Sequence, residues 1–171
     1  MVDQLMLQTV SVALAGISVS LAAIYYALIL KRQHETSNAQ FFLQIYQDAQ
    51  DEGFLRANAE AIWVQEHMEF DEWWDRYGPE NNMEFFNRWW KMIVFLEGVG
   101  IMVRRNLIDI EMVDDYMSGP IMLTWERYGH IIRGIRERDD YPQFQEWHEY
   151  LTDEIRKIVE RQHPDFRKRS G

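Results

Sequence analysis

The chain has 171 residues, and its 18 lysines and arginines face 28 aspartates and glutamates, which gives a net charge of −10. This balance argues against nucleic acid as a partner, because neutralising phosphates requires an excess of basic residues. The lack of cysteine excludes disulfides, thiolate metal sites and a thiol nucleophile. Aromatic residues make up 14% of the chain, which indicates a packed core rather than a disordered polypeptide.

An uncharged apolar segment lies near the N-terminus, at residues 5–30. No charged residue occurs between Asp3 and Lys31, and a helix of this length extends about 39 Å, more than the roughly 30 Å hydrocarbon core of a bilayer. Tyr25 and Tyr26 suit the headgroup level near its end. We therefore predict an uncleaved transmembrane helix in contact with membrane lipid. A cleavable signal peptide and a buried core helix are the alternative interpretations.

The charges that flank this segment predict its orientation. Lys31 and Arg32 follow it directly, whereas the preceding side carries Asp3. By the positive-inside rule, the N-terminus lies outside and the C-terminal part lies in the cytoplasm. The predicted location is the inner (cytoplasmic) membrane, which the chain crosses once.

Small residues recur at helical spacing along the apolar segment. Such stripes let helix backbones approach closely in lipid, where packing drives association. We therefore predict contact with other transmembrane helices, in a homo-oligomer or a larger membrane complex; the alternative is that small residues are simply common in membrane helices. The predicted contact residues are Ser11, Ala15, Ser18 and Ala22 on one stripe and Gly16, Ser20, Ala23 and Ala27 on the other.

The rest of the chain shows helical periodicity and no strand-like alternation. No breaker separates the apolar segment from a periodic pattern at residues 35–50, so the membrane helix is predicted to continue into the cytoplasm. Asp109 is a plausible N-cap, and Pro142 suits the first turn of the last helix. Further helices are predicted at residues 54–68, 80–104, 111–117, 121–136 and 142–162, with breaks at Gly78-Pro79, residues 106–109 and Gly119-Pro120.

These elements predict an all-α chain in which a single N-terminal transmembrane helix precedes a small cytoplasmic helical bundle. The predicted organisation is a transmembrane anchor at residues 1–32, a helical domain at residues 33–162 and a basic C-terminal tail at residues 163–171.

Two tryptophan doublets, Trp73-Trp74 and Trp89-Trp90, lie in predicted soluble segments. Neighbouring helical residues point about 100° apart, so at least one ring of each doublet should lie at an edge, groove or interface. Large rigid rings dominate interface hot spots, and we predict that one doublet forms a protein-contact patch. A groove for a small apolar ligand or lipid tail is the alternative. The other three tryptophans, Trp63, Trp125 and Trp147, are predicted to belong to the core.

Glu97 interrupts an otherwise apolar helical run. A carboxylate in that position is either solvated or buried with a partner, because an unpaired buried charge is costly. We predict a structural ion pair with Arg133 or Arg136; a solvated position and a functional carboxylate are the alternatives. Gly98 and Gly100 follow, and these small residues are predicted to let another helix approach closely.

The sequence contains no recognisable catalytic constellation. The histidines do not form the Glu-x-x-His pairs of a ferritin-like di-metal centre, and no nucleophile elbow or phosphate-binding glycine loop is present. We therefore predict no catalytic residues, no metal and no cofactor.

At the level of organisation, the chain resembles an uncharacterised family of prokaryotic single-pass membrane proteins (domain of unknown function 4760). The resemblance rests on the apolar segment followed by Lys31-Arg32 and on three short motifs. These motifs are residues 95–100 (FLEGVG), residues 106–109 (NLID) and residues 121–126 (IMLTWE) leading to Arg133. It implies the architecture described above and brings no activity or catalytic residues with it.

The leading functional hypothesis is a membrane-anchored protein-interaction or accessory subunit of a larger integral membrane complex, without catalysis of its own. The first alternative is a small-molecule sensor or enzyme with a helical cytoplasmic domain, in which Glu97, Glu126 and His130 are the foremost polar groups. The second alternative is a membrane-tethered antiphage or toxin-like effector, which fits a one-span design but has no supporting residue.

Overall fold

The structure, a computed structural model, describes residues 4–60, 63 and 67–164. Within these residues the secondary structure is entirely helical, which confirms the all-α prediction. The six helices, numbered here in chain order, are α1 Gln4–Ala49, α2 Glu52–Ala59, α3 Phe70–Tyr77, α4 Met83–Arg104, α5 Ile110–Arg138 and α6 Glu146–Gln162. Contacts divide the chain into two units, Met1–Gln40 and Phe41–Gly171.

The first unit is described only by its part of α1. Among the described residues, one helix, over Met6–Ala49, is long and apolar enough to cross a membrane, and its apolar window is not buried. Over residues 6–30 its large apolar side chains, apart from the half-buried Ile29, are exposed, from 49% at Val10 to 70% at Val12. The helix passes position 35 without a break, as the lack of a breaker predicted.

The second unit has a core formed by α4, α5 and α6. Each helix buries apolar residues three or four positions apart, the spacing that gives one side of a helix to its neighbours. Their exposed fractions are close to zero. The fully buried members include Trp89, Met92, Ile93 and Leu96 of α4, Ile121 and Ile132 of α5, and Leu151 and Ile155 of α6.

Short polar side chains start three of the helices. Asp51 Oδ1 accepts a hydrogen bond from the backbone N–H of residue 54 at 3.1 Å, and Asn82 Oδ1 accepts one from that of residue 85 at 3.1 Å. Asp109 Oδ1 accepts from the N–H of residue 111 at 2.9 Å, which confirms it as the predicted N-cap. Each bond satisfies a backbone donor that the first helical turn leaves without a partner.

Asn106 ends α4 in the left-handed conformation, with φ 54°. The N–H of Leu107 donates to the carbonyl of Met102, and the N–H of Asn106 donates to that of Val103, each at 2.9 Å. This is the hydrogen-bond pattern of a Schellman motif, and asparagine tolerates the required positive φ. The predicted break at residues 106–109 therefore has a backbone cause.

The predicted break at Gly119-Pro120 appears as a kink inside α5. Met117, with φ −143° and ψ 22°, is the non-helical residue. Because the helix restarts after Met117, Pro120 falls in the first turn of the second half, where a missing N–H costs nothing. The kink therefore lies at Met117, and α5 continues through Pro120.

Two other predictions about the helices were wrong. Helix α6 begins at Glu146, and the preceding turn includes Gln145 with φ 58°, so Pro142 does not lie in its first turn. Helix α3 was missed because it is short and its pattern, FDEWWDRY, combines charged residues with two adjacent tryptophans. The predicted helix at 54–68 is confirmed as far as Ala59, within α2 Glu52–Ala59, and is wrong at its end, because residues 67 and 68 are not helical. Residues 61–62 and 64–66 lie outside the described residues.

Candidate functional site

Each tryptophan doublet places one ring in the core and one at the surface. Trp73 is 2% exposed and Trp89 is 0% exposed, whereas Trp90 is 41% exposed and Trp74 is half-buried. This split confirms that at least one ring of each doublet lies outside the core. It follows from the angle between consecutive side chains of a helix.

The outer rings of both doublets line one groove of about 460 Å³, formed by α3, α4, the end of α5 and the turn before α6. We call it the aromatic groove. Its principal apolar side chains are Trp74, Met83, Phe86, Trp90, Tyr141 and Phe144. Met83 and Tyr141 are more than half exposed, so the groove is open to binding from outside.

The rings of the aromatic groove form a continuous row. Phe86 and Trp90 are stacked with centroids 5.7 Å apart, and Trp90 and Phe144 are stacked at 5.5 Å. Trp74 meets the edge of Phe86 at 6.0 Å. Ring pairs at these separations stabilise each other beyond their simple burial, so each ring of the row is held by its neighbour.

One charged pair borders the row of rings. Arg138 donates to both carboxylate oxygens of Asp139, at 2.7 and 2.8 Å, and its guanidinium carbon lies 3.5 Å from the centre of the Trp74 ring. The hydrogen bond from Arg138 lowers the pKa of the Asp139 carboxyl. The pair therefore stays ionised and adds no net charge, so the groove suits an apolar or aromatic side chain better than an ion.

Glu97 binds a helix end, not an arginine. Its Oε2 accepts a hydrogen bond from the backbone N–H of His148 at 2.7 Å. His148 is in the first turn of α6, whose N-cap residue, Gln145, makes no side-chain cap. A carboxylate from α4 thus supplies the missing cap from another helix, where the helix dipole also favours negative charge. Burial raises the pKa of Glu97, and the backbone N–H groups of residues 148 and 147 oppose that rise.

The two arginines that were expected to pair with Glu97, Arg133 and Arg136, pair with Glu149 instead. Arg136 Nη1 lies 2.6 Å from Glu149 Oε2, and Arg133 Nη1 lies 3.9 Å from Glu149 Oε1. Arg136 Nε also donates to the carbonyl of Phe144 at 2.7 Å, which fixes one wall of the aromatic groove. The predicted direct pair is thus replaced by Glu149, because the Glu97 carboxylate is taken by the start of α6.

The two predicted small-residue stripes lie on exposed parts of α1. The hydroxyls of Ser11, Ser18 and Ser20 donate to carbonyls four residues earlier, at 2.8–2.9 Å. A Cβ added to Gly16 would meet nothing within 4 Å. The stripes are therefore exposed rows of small side chains, in which these serine hydroxyls are hydrogen-bonded within the helix. Another helix can approach such rows closely.

Two of the three polar groups foremost for an enzyme, His130 and Glu97, have partners in different parts of the fold. His130 Nε2 is 2.7 Å from the Met68 carbonyl oxygen, whereas Glu97 is held by α6. The described part of the chain contains no cluster of three His, Asp or Glu side chains that could hold a metal ion.

The three tryptophans that were predicted to belong to the core differ in exposure. Trp125 is buried and Trp147 is half-buried, whereas Trp63 is 79% exposed, so the prediction is wrong for Trp63.

Sequence reasoning identified the doublets but missed the rest of the groove. Phe86 follows from a helical spacing of four to Trp90, a signal that was available. Tyr141 and Phe144 lie before the start of α6, and Phe144 was predicted as part of the helix at 142–162. Phe144 stacks on Trp90 from a turn that is flanked by the left-handed residues Asp140 and Gln145, and helical periodicity does not predict such residues.

Comparison with known proteins gives one match. The model of a family described as a domain of unknown function (DUF4760) matches residues 10–155, which is most of the chain. The matched range includes the apolar part of α1, the aromatic groove and the contact of Glu97 with α6. No curated protein and no solved structure matches the chain.

Proposed function

The chain belongs to the DUF4760 family, a domain of unknown function, and from this premise we propose that it is a single-pass membrane protein whose helical domain binds a protein partner. Helix α1 is the membrane anchor, with its N-terminus outside and the helical domain in the cytoplasm of a prokaryotic cell. The partner is a subunit of a larger integral membrane complex, to which this chain is accessory and without catalysis of its own.

The exposed apolar surface of α1 carries the proposal. Large apolar side chains from Met6 to Leu30 are about half exposed or more, except the half-buried Ile29. A helix that is apolar all round requires a non-aqueous environment, and its serine hydroxyls satisfy themselves within the helix, as lipid demands. Lys31 and Arg32 directly after this stretch support the cytoplasmic side.

The aromatic groove supports the protein-binding part of the proposal. Interface hot spots are enriched in tryptophan and cluster in apolar pockets. The groove offers a pre-formed row of rings whose bordering charges, Arg138 and Asp139, neutralise each other. An apolar or aromatic side chain of a partner protein, inserted beside Trp90, would be held without burying an unpaired charge.

Membrane insertion is tested with a charge placed in the middle of the apolar stretch. Ile17→Arg should cost about 2.5–3.5 kcal/mol of insertion free energy, because arginine is poorly tolerated at a span centre. The matched control is Thr36→Arg, on the same helix after the basic doublet. We expect carbonate-washed membranes to retain the wild type and the control and to lose much of the Ile17 variant. Release of the wild-type chain by carbonate would refute the anchor.

Partner binding is tested by site-specific photo-crosslinking in native membranes. A benzophenone amino acid is placed at Met83, which lines the groove and is 54% exposed, or at Val94, which is on α4 outside the groove and 45% exposed. We expect a discrete adduct from position 83 that Trp90→Ala removes, and none from position 94. Equal adducts from both positions, or one that persists in the Trp90 variant, would exclude the groove as the binding surface.

A further inference from the structure

Three exposed side chains of the aromatic groove carry hydrogen-bond donors that the rest of the fold leaves free. They are the indole N–H of Trp90, the side-chain amide of Asn87 and the hydroxyl of Tyr141. None of these donors has a hydrogen-bond partner in the described part of the chain. Among the described lining residues the one carboxylate, Asp139, is occupied, because both its oxygens accept from Arg138. The groove therefore suits a ligand that carries acceptors.

The groove runs along one side of α4. Met83, Phe86 and Trp90 line it, and their spacing of three and four positions places them on one side of the helix over about 10 Å. Trp74 and Phe144 extend this wall through their ring contacts with Phe86 and Trp90. One turn of a polyproline II helix, three residues at about 3.1 Å each, has nearly the same length. The groove can therefore hold one such turn laid along α4.

The hydrogen-bonding needs of the groove distinguish between the conformations that a bound peptide can adopt. A peptide added as a β-strand requires a free sheet edge, and the described residues form helices only. A bound α-helix uses its carbonyl groups internally, so it would cover the three free donors without giving them acceptors. A polyproline II segment makes no internal hydrogen bonds, so its carbonyl groups are available, and proline adds no N–H donor of its own.

The charge of the groove agrees with a proline-rich occupant. The charged residues of its lining are Arg138 and Asp139, which neutralise each other. A basic segment, which the net charge of −10 would attract to the chain as a whole, finds no unpaired acid among these lining residues. Proline is uncharged and apolar, and grooves lined by aromatic rings bind proline-rich segments in other proteins because the polyproline II conformation is already ordered before binding.

We propose that the aromatic groove binds a proline-rich segment of the partner in the polyproline II conformation. Its rings pack against Trp74 and Trp90, and its carbonyl oxygens accept hydrogen bonds from Trp90, Asn87 and Tyr141. This inference rests on the protein-binding function proposed above and names the chemistry that the partner presents.

Binding is tested by fluorescence anisotropy of the full chain in mild detergent. The probe is a labelled peptide of about ten prolines flanked by lysines, and its match replaces each proline with alanine, which keeps the charge and favours an α-helix. We expect saturable binding of the proline peptide and an affinity for the alanine peptide that is about tenfold lower or less, because the helix supplies no free carbonyl groups.

Variants of Trp90 separate its ring from its hydrogen bond. Trp90→Phe, which keeps an aromatic ring and removes the N–H, should weaken binding about twofold to tenfold, and Trp90→Ala should weaken it by more than about tenfold. The matched control is Val94→Ala, one turn away on α4, at an exposed position outside the groove, which should bind as the wild type does.

Equal affinity for the two peptides would overturn the inference, as would wild-type affinity in Trp90→Phe. A Trp90-dependent adduct from position 83 in native membranes, together with no saturable binding of the proline peptide, would overturn this inference and leave the protein-binding function intact. Absence of both the adduct and the binding would overturn both.

Discussion

The crossing of α4 and α6 depends on the missing side chain of Gly100. A Cβ at that position would lie 2.6 Å from the carbonyl carbon of Trp147 and closer still to its oxygen, whereas a Cβ at Gly98 would meet nothing within 4 Å. The sequence predicted a close helix approach from this pair of glycines, and the structure assigns it to Gly100. Two alanine substitutions, two residues apart, should therefore have opposite effects on stability.

The magnitudes follow from the local geometry. Alanine is favoured over glycine inside a helix by about 0.5–1 kcal/mol, so Gly98→Ala should stabilise the domain by that amount. In Gly100→Ala, α6 must retreat by about 1 Å to reach ordinary contact, which costs about 1–3 kcal/mol as overpacking. That retreat also lengthens the 2.7 Å hydrogen bond that the N–H of His148 donates to Glu97, so we expect a net loss of about 2–4 kcal/mol.

Urea unfolding of the full chain in detergent micelles, followed by far-UV circular dichroism and tryptophan fluorescence, measures both variants. Gly98→Ala is the matched control for the alanine itself, since it adds the same methyl group to the same helix. If Gly100→Ala proved as stable as the wild type, the α4–α6 packing described here would be incorrect. If Gly98→Ala were instead less stable than the wild type, residue 98 would have to contact a neighbouring group on that side of α4.

Three further predictions use the same unfolding assay. Glu97→Ala should lose about 1–3 kcal/mol because it leaves the start of α6 uncapped, while Glu97→Gln, which keeps an acceptor, should lose less than about 1 kcal/mol; equal losses would argue against the cap. Trp89→Ala, at a fully buried ring, should cost about 3–5 kcal/mol and Trp90→Ala about 1 kcal/mol, and the reverse order would contradict the doublet geometry. Burial lowers the pKa of His148 to about 3, so the wild type should lose up to about 1.4 kcal/mol per pH unit as the pH falls from 6.5 towards 3. His148→Phe should lack that component, and parallel pH profiles of the two proteins would refute it.

The sequence was sufficient for features that depend on local periodicity and punctuation. The apolar stretch of α1, the long helix α4, the cap at Asp109 and the inward and outward rings of each tryptophan doublet all follow from spacing along one helix. These features need only the geometry of a single element. None of these features depends on how the helices pack against one another.

Features that depend on two elements meeting were harder to predict. Short α3 has too few positions for a clear period, and Pro142 proved to precede a left-handed residue, Gln145, instead of starting α6. The partner of Glu97 was expected to be an arginine because opposite charge is the only partner visible in a sequence. The backbone N–H of another helix is an equally good partner, but every residue except proline has one, so no residue type marks it.

Two carboxylates of the helical domain, the half-buried Glu97 and the buried Asp114, show why residue type alone does not assign a role. Glu97 and Asp114 both occur in helices among apolar residues, and burial raises the pKa of both. Glu97 faces the first turn of α6, where a backbone N–H group donates a hydrogen bond to its carboxylate. The carboxylate is therefore satisfied within the fold. Asp114 lies near the other end of α6, where the helix presents carbonyl oxygens and not donors. Asp114 instead has a hydrogen bond with Ser118, one turn along its own helix, which lowers the pKa that burial raises. The partner of each acid is therefore set by the packing around it, which residue type does not reveal.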